Sequence, residues 1–310
     1  MNHQLIHLGI ALGCSFLLTY SSFSQVAEGE PDLKLSNGMN LGATKVRGRY
    51  LEAQWGLDKA FTESRWKAYQ RLRDNTLKDA SAKVQWAMMN LETGDLLASS
   101  LGAESNRFYG ASVTKVIVAA AYLAKKQGGV TKSDINKIGP LVSVSNNHFW
   151  RVLQREIGDG NNVEGMKLVQ EFTDDLGLTN TFGFKGWLDG VHGNETTAAD
   201  LVQFAFATFN DFYPGGEDIW KFMWTCRTGK LKGLKYLPAD LAVGGKTGTY
   251  HGLTVEANSQ KSYVAKTHHH LITFVRGGVP YAMAILSDRG KDEDVALIAG
   301  GLFREFVPWD

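Results

Sequence analysis

The sequence predicts an α+β fold, an α/β/α sandwich with one antiparallel sheet built from both ends of the chain. Two observations predict it. Strand-like stretches occupy residues 84–101 and return from about 240 onward. Between them, from 112 to about 235, the chain is helix-rich, broken at Gly128-Gly129, Gly158-Asp159-Gly160 and Pro214-Gly215-Gly216. Strands at both ends with helices between place an all-helical second lobe beside the sheet. A cleft between two lobes is a usual place for a small-molecule site.

Residues 1–24 read as a signal peptide. Leu8 to Tyr20 is apolar but too short to span a bilayer comfortably, and Ser22-Phe23-Ser24 offers small residues for cleavage. The segment before it holds His3 and His7 but no Lys or Arg, and Cys14 lies inside the apolar run rather than at its end. The expected product is periplasmic or secreted, without stable membrane insertion; N-terminal sequencing of exported protein should begin near Gln25.

Residues 25–56 read as an extended lead-in to a domain spanning 57–310, with a helix over 57–79 and a strand hairpin over 84–101. Three further strands are expected at Leu241–Thr249, Leu271–Arg276 and Tyr281–Ser287, closed by a helix near Val295–Phe306. With 310 residues the chain can bury a substantial core. A net charge of +1 leaves no electrostatic footprint for nucleic acid or an anionic membrane. A monomer is expected. Removing the signal leaves one cysteine, Cys226, in the apolar run Phe222 to Cys226, where an inert buried thiol is expected.

The chemistry concentrates at Ser112-Val113-Thr114-Lys115, which opens the apolar run Val116 to Leu123. Residues three apart share a helix face, so the serine hydroxyl and lysine amine can meet. A lysine desolvated in an apolar helix has a depressed pKa and can take the serine's proton. A second copy of the pattern, Ser64-Arg65-Trp66-Lys67, lies in a charged stretch and reads as a solvated helix face. What distinguishes the first copy is its company: Ser145-Asn146-Asn147 and then Lys246-Thr247-Gly248 follow it in order.

Ser-x-x-Lys, Ser-x-Asn and Lys-Thr-Gly in this order resemble the motif set of serine β-lactamases and penicillin-binding proteins. Trp86 to Asp95 resembles that family's first hairpin, Arg107 to Ala111 its approach to the nucleophile, and Leu237-Pro238-Ala239-Asp240 the run into its third strand. The resemblance covers roughly residues 80–310 and is closest to the class A β-lactamases. It implies that Ser112 attacks an amide carbonyl and that Lys115 is a candidate base. Ser145 passes a proton to the departing nitrogen, Asn147 holds the substrate's side-chain amide, and Lys246 with Thr247 binds a substrate carboxylate. The amides of Ser112 and Thr249 form the oxyanion hole, with Gly248 letting substrate approach the strand. No metal or organic cofactor is called for. Taken singly, Ser145 also suits a helix N-cap and Lys246 an edge-strand charge.

Two departures matter. The family's loop Glu, the deacylation base, has no counterpart between Gly177 and Ala199, where no Glu-x-x-Leu-Asn occurs. Asp189 stands nearest the expected place, ahead of His192 and Glu195, and Glu195 comes too late in the loop. After the third motif, His251 to Thr267 reads as an insertion, and the family's carboxylate-binding Arg is missing. One of His268-His269-His270, Arg276 or Arg289 is expected to replace it; alternation on a strand makes the three histidines a poor metal cage. The resemblance thus implies a β-lactamase acting on β-lactam amides. The alternatives are a D,D-carboxypeptidase or penicillin-binding protein acting on D-Ala peptides, which needs no loop Glu, and a non-catalytic β-lactam or wall-binding sensor. Thr197-Ala198-Ala199-Asp200-Leu201 resembles a stretch found in carboxypeptidases of the superfamily.

Overall fold

Both ends of the chain feed one antiparallel sheet. The computed structural model describes residues 30–184, 194–255 and 261–308. The lead-in forms a hairpin, β1 (Lys45–Val46) and β2 (Arg49–Tyr50), and a short strand, β3 (Gln54–Trp55). Helix α1 (Glu63–Thr76) and the hairpin β4 (Val84–Asn90) and β5 (Leu96–Ser99) follow. Strand β6 (Phe108–Tyr109) leads into α2 (Lys115–Lys125), then α3 (Lys132–Ser143), α4 (Asn147–Ile157) and α5 (Asn162–Asp175). Strand β7 (Glu195–Thr196) precedes α6 (Ala198–Phe209) and α7 (Gly216–Met223). Strands β8 (Ala242–Val255), β9 (Ser262–Arg276) and β10 (Val279–Ser287) are closed by α8 (Asp292–Phe306).

The sheet runs β3-β8-β9-β10-β4-β5 with every pair antiparallel. Period-two alternation sorts its side chains onto two faces. Trp86 and Met88 of β4 join Met283 and Ile285 of β10 in one core cluster with Tyr69 of α1 and Ile298 and Leu302 of α8. Ala87 and Met89, with Ala282, Ala284 and Leu286, point the other way into the core shared with α2 and α6. The result is three layers: α1 and α8, the sheet, and the helical lobe.

Helix α2 is the axis of that lobe. Its residues from Lys115 to Leu123 are all buried. The β-branched run Val116-Ile117-Val118 is a weak helix former by itself, so tertiary burial holds it helical. Among the described residues no helix is long and apolar enough to cross a membrane.

Two segments carry more structure than the sequence reading gives them. The lead-in pairs Gln54 with Val243 and Trp55 with Ala242, which adds an edge strand beside β8. The insertion read at His251 to Thr267 is strand in its described residues, and β9 begins at Ser262 rather than at His268. These residues continue β8 and β9, which stay in register from Val243–Phe274 to Val255–Ser262. The prolonged hairpin has an apolar face of its own, since Tyr250 and Tyr263 pack with Ala265 against Tyr109 and Ala111.

Candidate active site

The three motifs converge on one cleft between the sheet and the helical lobe. Ser112 lies in the turn between β6 and α2, half-buried, one step before the fully wound helix. Strand β8 presses against this turn. A Cβ on Gly248 would stand 2.9 Å from both Gly110 O and Val113 N and 3.3 Å from Ser112 N, so only glycine permits the approach. Gly56 N donates to Leu241 O across the β3 edge. Alternation from there turns the amide of Thr249 toward the same free edge, away from β9.

Ser145 joins the two lysines. It adopts a left-handed backbone (φ 59°) in the turn before α4. Its carbonyl accepts from Lys115 Nζ at 2.6 Å, and its hydroxyl lies 3.2 Å from Lys115 Nζ and 3.0 Å from Lys246 Nζ. Lys115 Nζ also donates to Asn147 Oδ1, and Lys246 Nζ to Thr247 O at 2.8 Å. The N-cap of α4 is Asn146, which accepts from the amides of His148 and Phe149, so Ser145 is not used as a cap. Lys246 is completely buried and is therefore no edge-strand charge. Lys115 meets Ser145 and Asn147 rather than the Ser112 hydroxyl one turn earlier.

Burial sets the charge states. Lys115 is lowered to about 6 by desolvation and then by the charge of Lys246. Lys246 is lowered to about 8, again chiefly by desolvation. Near neutrality the pair is thus one amine and one ammonium. A neutral amine has two N–H donors, which Ser145 O and Asn147 Oδ1 take up, and one lone pair. That lone pair accepts the Ser145 proton while the Ser145 oxygen accepts from Lys246, forming a short proton wire. Exposed Asn147 keeps its amide N–H groups for an incoming ligand.

On either side of Gly248 the strand carries a polar side chain into a second cationic corner. Thr247 hydroxyl is hydrogen-bonded to that of Thr228, and Lys232 Nζ donates to Thr249 Oγ1. Lys232 stands 3.8 Å from Asp292 Oδ1, which accepts from His268 Nδ1 at 2.8 Å. The cation beside Thr249 is therefore Lys232, and none of the three alternatives expected. Arg276 is paired with Asp240 at 3.0 Å and Arg289 with Asp288 at 3.8 Å. His269 and His270 are buried, which lowers both to about 3 and keeps them neutral. His269 Nε2 hydrogen-bonds Tyr109 O at 2.7 Å, fixing the segment that leads to Ser112. No local pattern separates Lys232 from Lys230 or Lys235, and Thr228 has no motif either. Only the packing of their loop against β8 selects them.

Of the loop candidates, Asp189 and His192 lie outside the described residues. Glu195 is buried on β7, where Tyr109 pairs with it across the ladder and Arg107 Nε lies 3.5 Å from its carboxylate. It thus anchors the loop's end to the strand before Ser112. Among the described residues no carboxylate is hydrogen-bonded to Ser112, Lys115 or Ser145. Cys226 is a free, buried thiol. Ser64 and Lys67 lie on α1, where exposed Lys67 pairs with Glu63 at 3.4 Å.

Three motifs on a turn, a helix N-terminus and a strand edge, in this three-layer α+β arrangement, define the fold of the class A β-lactamases. The structure is similar to a β-lactamase from Chitinophaga pinensis, with a TM-score of 0.57, 20% identity, and coverage of 76% of this chain and 96% of that one. A β-lactamase from Desulfarculus baarsii gives a TM-score of 0.60 at 17% identity, over 79% of this chain and 99% of the other. An ancestral class A β-lactamase gives 0.59 at 18% identity, over 78% and 99%. No family model matches the sequence, and no curated protein matches it.

Proposed function

We propose that this protein is a serine hydrolase that forms an acyl-enzyme at Ser112 and opens β-lactam amide bonds. The observation that carries the reading is the Ser145 hydroxyl held between a neutral Lys115 and a charged Lys246. Ser112 Oγ attacks the amide carbonyl, and its proton passes to Lys115, whose lone pair turns from the Ser145 hydroxyl to the Ser112 hydroxyl one helical turn earlier. The amides of Ser112 and Thr249 hold the oxyanion. As the tetrahedral intermediate collapses, the C–N bond breaks. Its nitrogen takes the proton of Ser145, which is replenished from Lys115. Asn147 orients the acyl side chain. Lys232, Thr247 and Thr249 hold a carboxylate on the leaving half, with Lys246 supplying the local field. Water then hydrolyses the ester.

A second reading, a D,D-carboxypeptidase that deacylates β-lactams slowly, is favoured by the placement of Glu195. Its carboxylate is occupied by Arg107, and the family's loop Glu is missing. Asp189 is the residue assigned to activate the deacylating water under the first reading. The expected export to periplasm or medium suits either one.

Intact mass measurement with a penicillin should show one adduct on the wild type and on Ser64→Ala, and none on Ser112→Ala. A labelled Ser112→Ala protein overturns the assignment. Lys115→Ala or Ser145→Ala should slow acylation by on the order of 10²–10⁴.

The acylation rate should rise through pH 6 as Lys115 loses its proton and fall through pH 8 as Lys246 loses its own. A flat profile from pH 5 to 9 contradicts these roles.

A chromogenic cephalosporin should give a burst of about one equivalent and then a slow linear phase. Asp189→Asn should flatten that phase and spare the burst. Lys232→Ala should raise the apparent Michaelis constant for carboxylate-bearing substrates. An unchanged constant removes Lys232 from the site.

A further inference from the structure

Residues 33–51 carry Lys34, Lys45, Arg47 and Arg49 and no carboxylate. The turn joining β1 to β2, Arg47-Gly48, has both residues at positive φ (51° and 78°), as a tight two-residue hairpin turn requires. The hairpin is seated on α3. A Cβ on Gly139 would lie 3.0 Å from Leu51 Cδ1 and 3.5 Å from Val46 Cγ2, so glycine lets it sit close. Between this hairpin and the turn before α4 is a pocket of about 270 Å³, with Leu51, Pro140 and Val144 contributing apolar lining and Arg47, Arg49 and Arg227 contributing charge.

The charges there are not balanced. Arg227 pairs with exposed Glu52 at 3.5 Å and donates to Tyr50 O. Arg47 lies over the Phe149 ring, 5.6 Å from its centroid. Arg49 has no ion pair among the described residues. Three guanidinium groups thus share one solvated carboxylate. Two segments that line the pocket lead directly into the cleft. Ser143 and Val144 directly precede Ser145, Arg227 N donates to Ser143 O at 2.8 Å, and the next residue, Thr228, is bonded to Thr247.

We propose that this pocket is a second anion subsite, taking a carboxylate on a short apolar body carried by the leaving-group half of the substrate. Planar guanidinium forks match a carboxylate, and the apolar lining rewards the body that carries it. At about 270 Å³ the pocket has room for a carboxyphenyl group. The leaving-group half is chosen because the pocket adjoins the Thr228–Thr247 side of the cleft. The assignment rests on the reading of Ser112 as the acylated residue.

Two cephalosporins identical except for a phenyl or a 4-carboxyphenyl group on the dihydrothiazine ring test it. The wild type should be acylated about tenfold faster by the carboxyphenyl compound, about 1.4 kcal/mol in the transition state. In Arg47→Ala/Arg49→Ala the ratio should fall to near one, while Arg47→Lys/Arg49→Lys, which keeps the charges and loses the forks, should fall between that and the wild type. Equal wild-type rates, or a ratio that survives the alanine pair, overturn the subsite. Free benzoate should compete only weakly; benzoate that changes both rates alike would make the pocket a regulatory anion site and overturn the substrate assignment. Calorimetry separates the two readings, using the carboxyphenyl compound with Ser112→Ala protein. Adding Arg47→Ala/Arg49→Ala to that background should weaken binding about tenfold, and equal affinities overturn the pocket. Failure of both compounds to acylate the wild type overturns the Ser112 reading instead.

Discussion

Two buried lysines converge on one serine hydroxyl, and the arrangement of the molecule follows from keeping them there. Lys115 Nζ and Lys246 Nζ lie 3.2 and 3.0 Å from Ser145 Oγ. Two ammonium ions so close in a dry cleft would repel strongly, since like charges gain little screening there. The conflict is relieved when the more easily deprotonated member gives up its proton, and Lys115 is that member. The neutral amine is thus made by burial and by its neighbour together. That requires α2, the turn before α4 and β8 to hold fixed positions. The apolar girth of α2 and the close passage of β8 over Gly110 to Val113 supply that rigidity.

The sheet plays a second part on its outer edge. Residues of β8 alternate between the motif side, with Lys246 and Gly248, and the side where Thr247 and Thr249 meet Thr228 and Lys232. One strand therefore serves the proton wire with one face and a cationic corner with the other. The lead-in strand β3 covers only the first residues of that edge, at Ala242 and Val243. The edge beyond stays open where a ligand would lie.

How much of this was legible in the sequence follows from the range of each interaction. The three-layer fold and the motif trio were readable because local periodicity and short motifs encode them. The run from Val116 to Leu123 announces a buried helix, and β4 and β10 show their faces by alternation. Lys232 was not legible. It is one of three lysines in six residues, and only tertiary packing against Thr249 and Asp292 selects it. That the insertion prolongs the β8–β9 hairpin is hidden for a similar reason, because only Tyr109 and Ala111, distant in the chain, provide the surface on which Tyr250 and Tyr263 pack. The Ser145 N-cap reading failed because the adjacent Asn146 caps the helix instead.

The central claim is that Lys115 is an unprotonated amine near neutral pH beside a protonated Lys246. Lysine labelled with carbon-13 at the ε position reports it directly, with Lys115→Arg and Lys246→Arg assigning the two resonances. The Lys115 resonance should titrate with a midpoint near pH 6 and the Lys246 resonance near pH 8. A Lys115 resonance that remains in its charged position above pH 9 would contradict the account.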